Sequence, residues 1–403
     1  MGGLFLLTKR IINAINKTPF YRDHGYIVSE NWDKNLFTVT KSDVVNFSDD
    51  FHSQIPMTTS PITVSTSGSS GCPIDIIWNP IDYYSSLVEI WKYRKKIGVS
   101  PCDNFVTAHI SFNNGGRIYT NKAIVQKNSL SLSKVFFDEE TLLFYYKQIL
   151  EFQPVWILLP PSFLYGFIVF MERRNFRLPA SIKLVELTGE YCTSELFTYF
   201  KKTYPEFVWR LTYGMQEFNV IGYGTPEGLC VLKNNVMVEI LNDKNLHCET
   251  NEEGSVVVTG LKNTAMPLLR YKTGDYGYID ASGMLHITRS RSNDILITDN
   301  GVYDGSLFWL IILKAKKELK LNILQFQVVF EKNTLYFYLK IDSLCKIELD
   351  ILKNYISSIL LKQYNIDYDV VLRMVDVIYP LVNGNKIKFF INSSTISGGN
   401  HEK

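Results

Sequence analysis

The sequence predicts an α/β protein: a large N-terminal body of sheets and helices with a β-rich closing region, followed by a small C-terminal α+β domain. Three observations predict it. Helical and strand-like segments alternate to about residue 215, strands dominate from there to about 290, and the pattern changes again after "RSNDILITDNG". At 403 residues the chain is too long for one ordinary core, so two domains are expected, 1–293 and 294–403.

The elements follow from periodicity. Apolar residues recur at helical spacing in 5–16, in 80–98 with Pro80 at a plausible start, in 139–152 and in 193–204. Strand-like runs fall at 105–110, 155–159, 183–187, 208–212, 236–241, 255–260 and 276–279. The greasiest run, "VWILLPPSFLYGFIVF", is broken by Pro160-Pro161 and Gly166, which predicts a buried strand, a turn and a buried helix, not a membrane span. Beyond 295 the expected order is helix 305–318, strands 325–330 and 334–341, helix 345–362 and strand 370–377.

Composition narrows the function classes. Lys plus Arg number 42 against 40 Asp plus Glu, a net charge of +2, so no basic excess points to nucleic acid or an anionic membrane surface. The six cysteines show no CxxC pair and read as free thiols of a reducing, cytoplasmic compartment. His247-Cys248 with Cys230 is a poor zinc cluster, since adjacent residues point in different directions. The apolar patch of "MGGLFLLTKRIINAI" is too short for a signal segment and is cut at once by Lys9-Arg10.

The most unusual local stretch is "TVSTSGSSGCPIDIIW", Thr63 to Trp78. A Walker loop needs GK[ST], a dinucleotide loop must open a helix, and a nucleophile elbow needs GxSxG; none is met. What remains is a loop between two strands of a hairpin. Gly68 and Gly71 permit left-handed backbone, which lets successive N–H groups share one concavity, and Ser65, Thr66, Ser67, Ser69 and Ser70 add hydroxyls. By itself the stretch reads as a Ser/Gly turn before it reads as a phosphate cradle.

Its companions shift that balance. "TSGSSGCP" resembles the phosphate loop of the adenylate-forming enzymes. In the family's order follow "YGMQE" (213–217), "RYKTGD" (270–275), "SRSND" (290–294) and "NGNKIK" (383–388). "NKTPFYRDHG", "FTVTKSDV" and "AMPLLRYKTGD" are similar to the phenylacetate–coenzyme A ligase and CapK-like branch, so the resemblance spans 16 to 390. It implies ATP-dependent activation of a small carboxylic acid as an acyl-adenylate, with release of pyrophosphate. Thr66, Ser67, Gly68, Ser69, Ser70 and Gly71 would wrap the β- and γ-phosphates. Glu217 would hold Mg²⁺, a hard ion suited to a carboxylate. Tyr213 and Gly214 would flank adenine and the acyl pocket, Asp275 would accept both ribose hydroxyls, and Arg291 would add ribose or phosphate contacts. Lys386 would bring its ammonium between carboxylate and α-phosphate, with Lys388 as the neighbouring alternative. The small domain would rotate between two half-reactions about Asn293-Asp294.

The sequence also departs from the family. Cys72 and Ile74 stand where a lysine is expected, Gln216 replaces Thr, Ser290 replaces Gly, and Asn293 replaces an acidic residue. These changes leave open a catalytically silent, adenylation-like binding protein. Segments near 110–120, 161–166 and 187–190 are expected to line the acyl pocket; Arg117 there reads first as a solvated loop residue. Three acceptors compete: coenzyme A, which is favoured and for which "KAKKELK" offers a basic face, an amine, or the phosphopantetheine thiol of a carrier protein.

Overall fold

The computed structural model describes residues 8–26, 28, 37–66, 74–109, 121–289, 295–298, 300–342, 348–378 and 388–393. Local capping rules set the helix starts. Helix α1 (Lys9–Asn16) begins at Thr8, whose hydroxyl accepts from the Ile11 amide, and α2 (Pro19–Asp23) has proline in its first turn. Helix α3 (Lys41–Asn46) carries a capping box between Thr40 and Asp43. A hairpin of β1 (Ile62–Ser65) and β2 (Asp75–Trp78) precedes α4 (Pro80–Lys96), which Asn79 caps and Arg94, Lys95 and Lys96 close.

Next come β3 (Phe105–His109), β4 (Ala123–Gln126), β5 (Ser129–Ser133), α5 (Glu139–Phe152), β6 (Trp156–Leu159), α6 (Pro161–Arg173), β7 (Leu184–Thr188) and α7 (Ser194–Thr203). A run of strands follows: β8 (Val208–Met215), β9 (Asn219–Thr225), β10 (Gly228–Val231), β11 (Val236–Leu241), β12 (Gly254–Gly260), β13 (Tyr271–Ile279) and β14 (Leu285–Arg289). The chain continues with β15 (Ile295–Thr298), β16 (Gly301–Asp304), α8 (Leu307–Leu319), β17 (Ile323–Glu331), β18 (Thr334–Ile341), α9 (Leu349–Tyr364), β19 (Asp369–Met374) and β20 (Phe390–Asn392). This is the mixed α/β architecture the patterning predicts, with a smaller α+β portion at the C-terminal end.

Contacts divide the chain into two compact units, Met1–Pro101 with Arg210–Arg291, and Cys102–Trp209 with Ser292–Lys403. In the first unit, β11-β12-β13-β14-β10-β9 and the greater part of β8 form an antiparallel series. One core holds it together: Tyr21, Phe51, Trp78, Phe218, Leu269 and Tyr271 are all buried within it. Ile74 belongs to that core and is 4% exposed, so the position where the family resemblance leads one to expect lysine faces hydrocarbon.

In the second unit, β7-β6-β3-β5 are parallel, with β4 antiparallel at the end, and β19-β18-β17-β20 make a separate four-stranded sheet. Helix α6 is buried on nearly every face, which accounts for the apolar run that encodes it. It lies directly on β17: a Cβ at Gly166 would meet Leu324 O at 2.1 Å and the Phe137 ring at 2.5 Å. Thus the Gly that breaks the run permits backbone-to-backbone approach. Charge fixes the same contact at its far end. Arg174 reaches Asp342 at 2.7 Å and Glu139 at 2.8 Å while its guanidinium sits 4.0 Å from the Phe170 ring centroid. Asp342 is only 1% exposed in its side chain, so it depends on that partner.

Two substitutions test this packing by urea unfolding. Gly166→Ala is expected to lower stability by about 1–3 kcal/mol through overpacking. Arg174→Met is expected to cost about 3–5 kcal/mol, because Asp342 is left buried and unpaired. An unchanged midpoint in both would contradict the described contacts.

Candidate functional site

Four of the residues expected to act together lie in the first unit and within the described residues, as does Thr66; Ser67, Gly68, Ser69, Ser70, Gly71, Arg291 and Lys386 lie outside them. The glycine- and serine-rich stretch does join two strands of a hairpin, in the register Ile62↔Trp78 to Ser65↔Asp75. Thr66 closes its base. The Thr66 amide donates to Ile74 O at 2.8 Å, and the Ile74 amide donates to Thr66 Oγ1 at 2.8 Å. Its amide therefore serves the clasp, and its hydroxyl proton remains available to a ligand. Ser65 adds a bond to Asp75 at 2.5 Å.

Trp78, at the end of β2, connects this hairpin to the next element. Its indole N–H donates to the carbonyl of Gln216 at 3.2 Å, inside the tight turn between β8 and β9 that carries Glu217. Because the acceptor is backbone, Gln in place of Thr at 216 leaves the link intact. The turn explains two sequence features. A Cβ at Gly214 would meet Asn219 O at 2.2 Å, so the close approach of the two strands requires glycine there. Asn219 takes a left-handed conformation at φ +58, which asparagine tolerates.

Glu217 is 4% exposed and its Oε1 accepts from Tyr271 Oη at 3.1 Å. Tyr271 begins β13, where strand alternation places Tyr271, Thr273 and Asp275 on one buried face. Asp275 is 7% exposed. Tyr213 Oη donates to its Oδ2 at 2.7 Å, and the Asp275 amide donates to Thr273 Oγ1 at 3.1 Å. Thr273 in turn donates to Val256 O at 2.9 Å, which anchors the carboxylate to β12. Gly274, at φ +85, supplies the backbone turn between them.

Tyr213 thus orients Asp275, and Tyr271 orients Glu217. Tyr271, Trp78 and Thr273 are parts of the site that the sequence reading does not single out. Tyr271 and Thr273 have a legible signal, since they precede Asp275 at even spacing in "YKTGD"; Trp78 has none. Glu217 suits a divalent cation such as Mg²⁺, being one hard carboxylate, and no group of three His, Cys, Asp or Glu side chains forms a cage among the described residues. The donor set fits an ion whose remaining ligands come from substrate phosphates and water.

No protein-family model and no curated protein matches the chain. Solved structures do. 2-Hydroxyisobutyryl-CoA ligase in the postadenylation state, in complex with 2-HIB-AMP, superposes with a TM-score of 0.71 at 13% identity, covering 96% of this chain and 88% of that one. The fold is that of the adenylate-forming ligases. O-succinylbenzoate coenzyme A synthetase from Bacillus subtilis, in complex with AMP, gives 0.52 at 16% identity, covering 81% of this chain and 67% of that one. An amide bond synthetase from Marinactinospora thermotolerans gives 0.51 at 15% identity, covering 83% and 71%.

Tyr271→Phe is expected to destabilise the protein by about 1–3 kcal/mol by stripping a buried carboxylate of its donor. Glu217→Gln keeps an acceptor for the same hydroxyl and is expected to unfold close to wild type. Equal losses in the two variants would show that the pair is not coupled as described.

Proposed function

We propose that this chain is an ATP-dependent carboxylic acid ligase. A carboxylate oxygen attacks the α-phosphorus of ATP, the bond to the bridging oxygen breaks, and pyrophosphate leaves. In the second half-reaction an acceptor attacks the acyl carbon and AMP departs. For coenzyme A, the favoured acceptor, a C–S bond replaces the C–O bond and the thiol proton is released. The observation that carries this reading is the bond from Trp78 to Gln216, which holds the Ser/Gly hairpin loop beside the Glu217 turn within a fold shared with adenylate-forming ligases.

Each side chain then has a task. Thr66 and the loop 67–71 offer hydroxyl and amide donors to the β- and γ-phosphates. Asp275, oriented by Tyr213, accepts from the ribose diol, and Tyr213 and Gly214 border the adenine and acyl groups. Glu217, held by Tyr271, is the Mg²⁺ ligand. When bound, the ion offsets phosphate charge. With Ile74 turned into the core, the loop has no lysine of its own at that position, so the cation opposing the phosphates comes from Lys386 and Arg291.

The functional modules are 1–293 and 294–403, with the hinge at Asn293-Asp294, and the motif resemblance assigns the chain to the phenylacetate–coenzyme A ligase and CapK-like branch. Cys102, Cys192, Cys230 and Cys248 are free thiols, which suits a cytoplasmic enzyme. An amine acceptor is the second reading, favoured by the likeness to an amide bond synthetase.

ATP–pyrophosphate exchange across a panel of carboxylic acids tests the proposal. Acid-dependent exchange is expected, falling about 10²–10³-fold in Lys386→Ala through loss of charge stabilisation. Asp275→Ala is expected to raise the KM for ATP at least tenfold, on the order of one charge-assisted hydrogen bond. The absence of acid-dependent exchange, with wild type and Lys386→Ala alike, would refute the ligase reading.

A further inference from the structure

The carboxyl ends of the parallel strands in the second unit converge on a small cavity. In open α/β sheets this edge, near the strand from which connections diverge to either side, is where ligands bind. Here β3 is that strand, with β5 on one side and β6 on the other. The cavity has a volume of about 20 Å³ and is lined by Lys134 after β5, Ser162 and Phe163 at the start of α6, and Glu190 after β7. The C-terminal stretch closes it with Trp309, Gln325, Phe326 and Phe389.

Three polar groups meet there. The Lys134 ammonium has no hydrogen-bond or ion-pair partner among the described residues; burial lowers its pKa and the Glu190 charge opposes that shift. Glu190 Oε2 accepts from the Ser162 amide at 3.1 Å. Gln325 Oε1 is buried with no partner among the described residues. A buried acceptor left unmade is costly, so an occupant that donates to it is expected.

Charge and size decide what that occupant is. A carboxylate would pair with Lys134 but face Glu190, and an ammonium would pair with Glu190 but face Lys134. A hydroxyl satisfies both sides: it accepts from Lys134 and donates to Gln325, and it adds no charge among the aromatic walls. The volume matches one water-sized group, for which roughly 10–15 Å³ suffices.

We propose that this cavity is a hydroxyl subsite, and that the acid activated by this protein is a hydroxy acid whose hydroxyl reaches Lys134 and Gln325. The inference rests on the ligase reading above and narrows its substrate class.

The test is ATP–pyrophosphate exchange by the full chain with acids matched except for one hydroxyl: isobutyrate with 2-hydroxyisobutyrate, phenylacetate with mandelate and 4-hydroxyphenylacetate, and benzoate with 4-hydroxybenzoate. One hydroxy acid is expected to exceed its partner in kcat/KM by at least about tenfold, because a site built to hydrogen-bond a hydroxyl rejects the analogue lacking it. Gln325→Leu and Lys134→Met are each expected to bring that ratio to within about twofold of one. Gln325→Leu, on a strand and of similar volume, carries the test if Lys134→Met does not fold. Exchange without preference in any pair overturns the subsite while leaving the ligase reading standing. Exchange with no acid overturns both. A crystal structure with the favoured acid that shows only a water between Lys134 and Gln325 also overturns the subsite.

Discussion

The indole N–H of Trp78 donating to the carbonyl of Gln216 is the contact on which the rest of the candidate site depends. It joins two segments more than a hundred residues apart, the Ser/Gly hairpin and the β8–β9 turn. Trp78 is 1% exposed, so its N–H would be an unsatisfied buried donor without that carbonyl. A second bond backs it: Asn263 donates to Ile77 O at 2.9 Å while its own oxygen accepts from the Ala265 and Met266 amides. The loop hairpin is thus held by polar groups from two different stretches, and apolar packing of Ile74, Ile76 and Trp78 supplies the remaining burial.

Carboxylate placement follows the same logic. Glu217 and Asp275 are both nearly buried, and each has a tyrosine hydroxyl as donor. A tyrosine brings a rigid ring and a single directional proton, so it fixes a carboxylate with little loss of side-chain entropy. Because Tyr271 and Asp275 share one face of β13, both acids register with the same strand. Phosphate loop, metal-binding acid and ribose-binding acid therefore belong to one rigid arrangement.

Much of this was legible in the sequence. The hairpin setting of the loop follows from β-branched runs on both sides of it, and "VWILLPPSFLYGFIVF" resolves into β6 and α6 at its two prolines. Strands β4, β5, β9, β10 and β14 were not legible. "AIVQKNSLSLS" is rich in serine, and its strand identity comes from pairing of β5 with β3 instead of from local propensity. Trp78 illustrates the other limit: an indole at a strand end carries no sequence mark of the distant carbonyl it will meet. The packing of α6 on β17 is similarly invisible, since only the three-dimensional approach explains Gly166.

The most direct measurement is a crystal structure of the full chain with ATP and Mg²⁺. The account predicts the ribose hydroxyls on Asp275, the β- and γ-phosphates within 66–71, and the ion on Glu217. A nucleotide bound elsewhere, with Asp275 and Glu217 still engaged only by Tyr213 and Tyr271, would contradict it.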